Sequence, residues 1–287
     1  MKRIIVALLL AALAGQASAT VGSVISTFYL FRTVEPTSYS TGIYRDSEYV
    51  YSFFQYVDIL YVSVFTPYGS HADTKGGWEM GLISYPADIT RGHLGSSSAA
   101  FSIIEADEIW ITNDWYNIVQ SFPAQRPGGG GPGDIMWDGR YYHVHDGGGK
   151  YNLYTAAGAL AGQWTVAGWP AGMWGGGSTF TKSFNNAGGR YLFVAGGLGG
   201  RDLYCAFNMD DGSLVASFSR PESSFTRRGQ EYGDAYPARY GGAIWCHFSR
   251  FVSPSYHDHW AYQVDIDARG ATNVVPASVG KIKAIYR

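Results

Sequence analysis

Gly42-Ile43-Tyr44-Arg45, Asp88-Ile89-Thr90-Arg91 and Asp134-Ile135-Met136-Trp137 are versions of one short phrase, a turn residue leading into a strand, and successive copies start 46 residues apart. Ala171-Gly172-Met173-Trp174 reads as a fourth copy and Asp234-Ala235-Tyr236 as a fifth, after steps of 37 and then 63 residues. Those uneven steps require a trimmed connection and then insertions. Gly175-Gly176-Gly177 and the polar run from Glu222 to Gln230 are the natural places for them. Self-similarity at a period of this size is the mark of a repeat architecture.

A second phrase recurs independently: a glycine turn followed by a strand with an aromatic residue near its end. Ala157-Gly158-Ala159-Leu160 leads to Trp164, and Asp211-Gly212-Ser213-Leu214 leads to Phe218. Tyr68-Gly69-Ser70 and Arg269-Gly270-Ala271 are further copies, and a degenerate turn around Asp114 to Asn117 precedes Ile118 to Phe122. Strand-like runs such as Tyr49 to Phe53 and Tyr191 to Val194 fill the interval. Each unit therefore reads as four short strands in about 45 residues, the size of one propeller blade. The expected fold is an all-β propeller of four-stranded blades, with five blades favoured and six still open. A β-sandwich is the competing architecture, and it would show cleaner alternation of polar and apolar residues.

Val21 to Phe28 matches the outer-strand phrase from Asp211 to Phe218 but precedes the first full unit. Its economical place is in the last blade, where it would join the two ends of the chain and remove the open sheet edges that template aggregation. Gly280 to Tyr286 is another strand-like stretch and keeps the sixth blade open.

These turns, strands and outer glycines resemble exported bacterial β-propeller repeat proteins, loosely of the NHL and YVTN type, down to the ending Gly280-Lys281-Ile282-Lys283-Ala284-Ile285-Tyr286-Arg287. The resemblance spans nearly all of the chain beyond its first 19 residues. It implies a propeller and export, and it brings no catalytic residue with it.

Lys2 and Arg3, the uncharged apolar run Ile4 to Leu13, and Ala17-Ser18-Ala19 form the three parts of a signal peptide, with cleavage expected before Thr20. The apolar run is too short to span a bilayer, which needs about 20 residues. The expected organisation is a signal peptide over 1–19, a propeller domain over 20–276, and a C-terminal strand or tail over 277–287. The expected location is secreted, periplasmic or at the cell surface, as a monomer without a membrane span. Loss of Lys2 and Arg3 takes the formal net charge from −2 to −4, so no basic excess exists to neutralise phosphates and nucleic acid is not an expected partner. The 22 Tyr, 9 Trp and 38 Gly say more than the charge, because aromatic residues favour strands and glycine favours tight turns.

Cys205 and Cys246 lie in apolar strand runs, and in an oxidising compartment a disulfide between them and two separate core thiols both fit. His143 and His145, two apart on one strand, project from one face and with Asp146 are candidates for a metal site, but no third ligand stands at a recognisable spacing. Asp210-Asp211-Gly212 and Asp265-Ile266-Asp267 invite a calcium reading without following the D-x-[DN]-x-[DN]-G loop. Gly128-x-Gly130-x-x-Gly133 matches the dinucleotide fingerprint by letter only, since no helix follows. No cofactor is expected.

The repeat itself supplies the candidate ligand-binding set. Arg45, Arg91, Trp137 and Trp174 hold equivalent places after the turn, with Arg239 nearby in the fifth unit. On innermost strands they would form a ring of guanidinium and indole groups about the axis, suited to sugars, cations or carboxylates. The competing role is structural, with Arg paired to acids such as Asp46 or Asp88 and Trp filling the core. Three functions remain: an exported non-catalytic module binding a glycan, peptide or surface protein; a glycoside hydrolase or lyase on a five-bladed scaffold; and an envelope structural component.

Overall fold

The structure is a computed structural model that describes residues 21–34, 38–45, 49–56, 59–66, 68–76, 79, 86–95, 98–113, 117–199, 201–219, 225–226, 243–253 and 256–267. The signal peptide, Asp46, the fifth copy at Asp234, Arg239, the turn at Gly270 and the tail lie outside the described residues. Among those described, the strands form antiparallel four-stranded sheets.

β1 (Val24–Val34) comes first in the chain but belongs to the last sheet. The first sheet holds β2 (Ser38–Arg45), β3 (Val50–Tyr56), β4 (Ile59–Phe65) and β5 (His71–Gly76), side by side in sequence order. The second holds β6 (Pro86–Arg91), β7 (Ala99–Ile103), β8 (Glu108–Thr112) and β9 (Ile118–Pro123) in the same order. The third holds β10 (Asp134–Trp137), β11 (Tyr141–His145), β12 (Lys150–Thr155) and β13 (Leu160–Thr165). The fourth holds β14 (Trp174–Phe184), β15 (Ala187–Leu198), β16 (Arg201–Asn208) and β17 (Leu214–Ser219). The fifth runs β18 (Phe225–Thr226), β19 (Ala243–Ser253), β20 (Tyr256–Asp265) and then β1, which pairs with β20 from Val24 opposite Val264 to Val34 opposite Tyr256.

Successive strand residues point to opposite faces, so a sheet covered on both sides needs apolar residues at consecutive positions. Ile43 packs with Trp245 of the fifth sheet, and its neighbour Tyr44 packs with Phe101 of the second. Phe101 belongs to the interface with the first sheet, whereas Ala100 belongs to that with the third. Leu192 and Val194 join Tyr151 of the third sheet, and Phe193 and Ala195 join Ile244 and Val264 of the fifth. Each apolar cluster thus straddles two consecutive sheets, as propeller blades require.

The first strands of neighbouring sheets are also tied by hydrogen bonds. The Asp88 carboxylate accepts from the Ile135 amide at 3.1 Å, and Thr90 Oγ1 accepts from the Trp137 amide at 3.3 Å. Both bonds step two residues in the same direction on both strands, so β6 and β10 run parallel around the axis. One unit further on, Asp134 accepts from the amide of Ser178 at 3.1 Å and from its hydroxyl at 2.7 Å. The residue equivalent to Asp134 in the fourth sheet is therefore Gly177. The pairing register agrees, because a bulge falls immediately before Gly42, Asp88 and Gly177. The fourth copy of the repeat is Gly177-Ser178-Thr179-Phe180, and Ala171 to Trp174 precedes it. Gly175 to Gly177 is strand rather than inserted loop, which glycine composition alone does not reveal.

The second phrase also has a physical cause. A side chain at Gly158, in the β12–β13 turn, would overlap the ring of Phe122 on β9 of the preceding sheet. A Cβ at Gly69 would lie 2.6 Å from Phe28 of β1, and one at Gly22 would lie 2.7 Å from Phe218 of β17. The outer aromatic of one sheet thus presses on the turn glycine of the next. Gly158 has φ +83°, and Gly139 has φ +93° with open space where a Cβ would stand. Gly139→Ala is expected to cost about 1–2 kcal/mol for its left-handed backbone, and Gly158→Ala about 1–3 kcal/mol more for overpacking against Phe122. Urea unfolding of the two variants checks this; equal losses would show that the contact carries no load.

Candidate functional site

The corrected register separates the candidate ring. Arg45, Arg91 and Trp137 stand three residues after Gly42, Asp88 and Asp134, at one end of the inner strands. Their counterpart in the fourth sheet is Phe180, which is buried. Trp174 stands three residues before Gly177, about 20 Å away along the strand at some 3.3 Å per residue. Arg45 is buried, with its guanidinium 6.0 Å from the Trp245 ring of the fifth sheet. Arg91 and Trp137 are half-buried. The Trp137 ring lies 4.4 Å from that of Tyr142 at a tilt of 39°, and the Tyr142 hydroxyl meets the backbone amide and Nδ1 of His93 at 3.0 and 2.9 Å. Burial lowers the His93 pKa and raises that of Tyr142.

At the other end the inner strands carry a buried polar network. Asp134 lies 3.4 Å from His145 Nδ1 and is bonded by Ser178. Burial opposes ionisation of Asp134, but His145, Asp88 and Ser178 together outweigh it and hold the carboxyl below its ordinary value. His145 Nε2 accepts from the Gly149 amide at 3.3 Å, so the proton belongs on Nδ1, toward Asp134. The ring of His145 stacks on Tyr151 at 4.5 Å, and burial, reinforced by Asp134, raises the Tyr151 pKa well above normal. The residue types are those of a nucleophilic triad, but the order is Ser–Asp–His. The carboxylate separates hydroxyl from imidazole, which leaves Ser178 without the adjacent base that activation needs.

His143 points the same way along β11 but has a different partner, Asp138 Oδ2, at 3.0 Å. The same oxygen accepts from Arg190 of the fourth sheet at 2.6 Å, while Oδ1 accepts from the amides of Arg140 and Tyr141 at 2.8 and 2.7 Å. Asp146 accepts from the amides of Gly148 and Lys150. Each candidate ligand thus has a structural partner, and no group of three or more metal-ligating side chains occurs among the described residues. The calcium candidates are turn acids as well: Asp211 accepts from the Ser213 amide, and Asp267 from Ser183 Oγ and the Asn186 amide. Cys205 and Cys246 are buried thiols in different inter-sheet clusters, and burial pushes the Cys205 pKa up to about 11.

Trp174 is the inner-strand candidate that remains open, 51% exposed. The loop before it is pinned: Trp169 Nε1 donates to the Met173 carbonyl at 3.0 Å, and the Gly175 amide donates to the Gly147 carbonyl at 2.9 Å. Sequence reasoning missed Trp169, which stacks on Phe207 at 5.6 Å, and the Asp138–Arg190 link, whose partners are 52 residues apart. The glycines on either side of Trp174 were the available signal.

No protein-family model and no curated protein sequence matches the chain. The fold is similar to the tail fibre of Staphylococcus aureus phage P68, with TM-score 0.51 and 9% identity over 84% of this chain and 52% of that one. The WD40 domain of Toxoplasma gondii coronin is similar at TM-score 0.40 and 10% identity, over 87% and 89% of the two chains. This chain is a β-propeller. It spans about half the length of the tail fibre, and at such identities the likeness is one of fold alone.

The Asp138 network ties the third sheet to the fourth and should make stability fall in acid. Burial raises the Asp138 pKa, but His143 and the two turn amides outweigh it and leave the carboxyl well below its ordinary value. A depressed folded pKa stabilises above the unfolded value of about 4, and that contribution is lost as the pH falls toward the folded value. Asp138→Asn is expected to cost about 1.5–3 kcal/mol at pH 7 and to flatten the decline in melting temperature below pH 4. Melting curves from pH 2 to 7 check this; parallel declines in both proteins would remove Asp138 from the account.

Proposed function

We propose that the chain is an exported, non-catalytic five-bladed propeller that binds a glycan, peptide or surface protein at the end of the ring carrying Trp174. The observation that carries this reading is the division of labour at that end. Asp88, Asp134, Ser178 and His145 hold neighbouring strands together, while Trp174 stays half open on a pinned loop. The Asp88 carboxylate accepts from the Ile135 amide and that of Asp134 from Ser178, so both acids serve as joints between neighbouring strands. That structural use of both acids favours binding over glycoside hydrolysis.

The five-bladed ring closed by β1 is part of the proposal. It is supported by the pairing of β1 with β20 and by the contact of Phe28 with Gly69 in the first sheet. Export and the NHL- or YVTN-like relationship rest on the N-terminal and repeat patterns of the sequence. No helix among the described residues is long and apolar enough to cross a membrane.

The test uses the chain secreted from a bacterial host, which should begin at Thr20. Purified protein on glycan and peptide arrays should retain a ligand and release no product from it. Turnover of a retained glycan, abolished by Asp134→Asn in a protein that still melts cooperatively, would replace the binding reading with the hydrolase or lyase.

A further inference from the structure

The indole of Trp174 lies in a slot cut from glycine. A Cβ at Gly176 would stand 2.7 Å from Trp174 Cζ3, and one at Gly197, opposite on β15, would overlap the Nε1–Cζ2 edge of the same indole. Neither glycine has a positive φ, so the backbone there would accept any residue. What excludes side chains is the indole itself. A Cβ at Gly196 would meet the Trp174 carbonyl and then the Met173 methyl, and one at Gly175 would meet His145 Cε1 and, at 3.1 Å, the Trp169 ring, while Gly149, with φ +88°, faces the Trp169 ring at 2.7 Å. Glycine weakens a strand, and here Gly149, Gly176 and Gly197 lie within or beside strands where they leave room for two indoles. One of them is still half in solvent, which burial alone does not explain.

We infer that Trp174 is a stacking platform for a neutral sugar ring, an assignment that rests on the binding reading above and names its ligand class. A rigid indole face offers a broad, flat, apolar surface with little motion to lose on binding. That surface complements the C–H face of a pyranose. Among the described side chains the glycine cradle meets the uncharged Met173, Leu198 and Trp169, with His145, buried and beside Asp134, behind Gly175. The nearby Asp146 carboxylate is engaged by the amides of Gly148 and Lys150. A charged sugar or phosphate would find no counter-charge in that set, whereas a neutral pyranose needs none.

The test is affinity electrophoresis of the mature chain through native gels containing hydroxyethylcellulose, laminarin, xylan or mannan, with alginate as an acidic control. At least one neutral polymer should retard the protein. Trp174→Ala should weaken that retardation about tenfold and Trp174→Phe should retain part of it, both with melting temperatures close to the parent. Retardation by no neutral polymer, or by alginate alone, overturns the inference. Retardation that Trp174→Ala leaves unchanged also overturns it, while leaving the chain a sugar-binding protein by another surface. A failure of the binding reading looks different, as hydrolysis of the polymer in the gel. Should Trp174→Ala fail to fold, Gly197→Val supplies the second variant: it displaces the indole, and retention of binding in a folded Gly197→Val protein counts against the site.

Discussion

A four-stranded sheet that is apolar on both faces has no stable existence in water by itself, and the rest of the molecule follows from how that constraint is met. Tyr44 and Ile43 are adjacent in sequence and both fully buried, yet they serve two different interfaces. The same holds for Leu192 and Phe193. Each sheet therefore needs a neighbour on either side, and the neighbours need positions fixed along the strands as well as across them. Two kinds of contact supply that. Near the axis, Asp88 and Asp134 reach across to the amides of Ile135 and Ser178. At the rim, Phe28, Phe122 and Phe218 press on turn glycines that admit no side chain.

Much of this can be read from the chain, because a repeat writes the same constraint several times. Two 46-residue steps give the unit, and Gly158 and Gly212 mark the outer turns. The reading slipped where the repeat loses its regular spacing. Ala171 to Trp174 has the composition of the inner phrase, but the strand pairing begins the true copy at Gly177. A shift of six residues carried Trp174 from one end of the inner strand to the other and broke the imagined ring. The burial of Arg45 against Trp245 was equally invisible, since the two are 200 residues apart and meet only through folding. Gly175 to Gly177 read as a place for an insertion and are instead strand, where Gly176, with Gly197 opposite Trp174, leaves room for the Trp174 indole.

The polar residues follow the same logic. Acids that resemble catalytic or metal-binding groups in the sequence are used to seat strands and turns: Asp134 on Ser178, Asp138 on Arg190, and Asp267 on Ser183. Because Asp134 and Asp138 hold one sheet to another, their ionisation is coupled to the packing. Acid should therefore loosen the joints between sheets before it disturbs the strands within them. The end of the inner strands that carries Trp174 combines this buried polar network with a half-exposed aromatic side chain, the combination on which the proposed binding role rests.

The central claim is that β1 closes the ring as the outer strand of the fifth sheet. It is tested most directly by deleting residues 20–31 from the secreted chain and recording thermal unfolding alongside the solution mass. Removing Val24 to Phe31 leaves most of the outer edge of β20 unpaired and takes Phe28 away from Gly69 and Trp245. Aggregation or a large fall in melting temperature is the expected result, since an open strand row is a template for association. A monomer that melts like the parent would contradict the account and place β1 outside the ring.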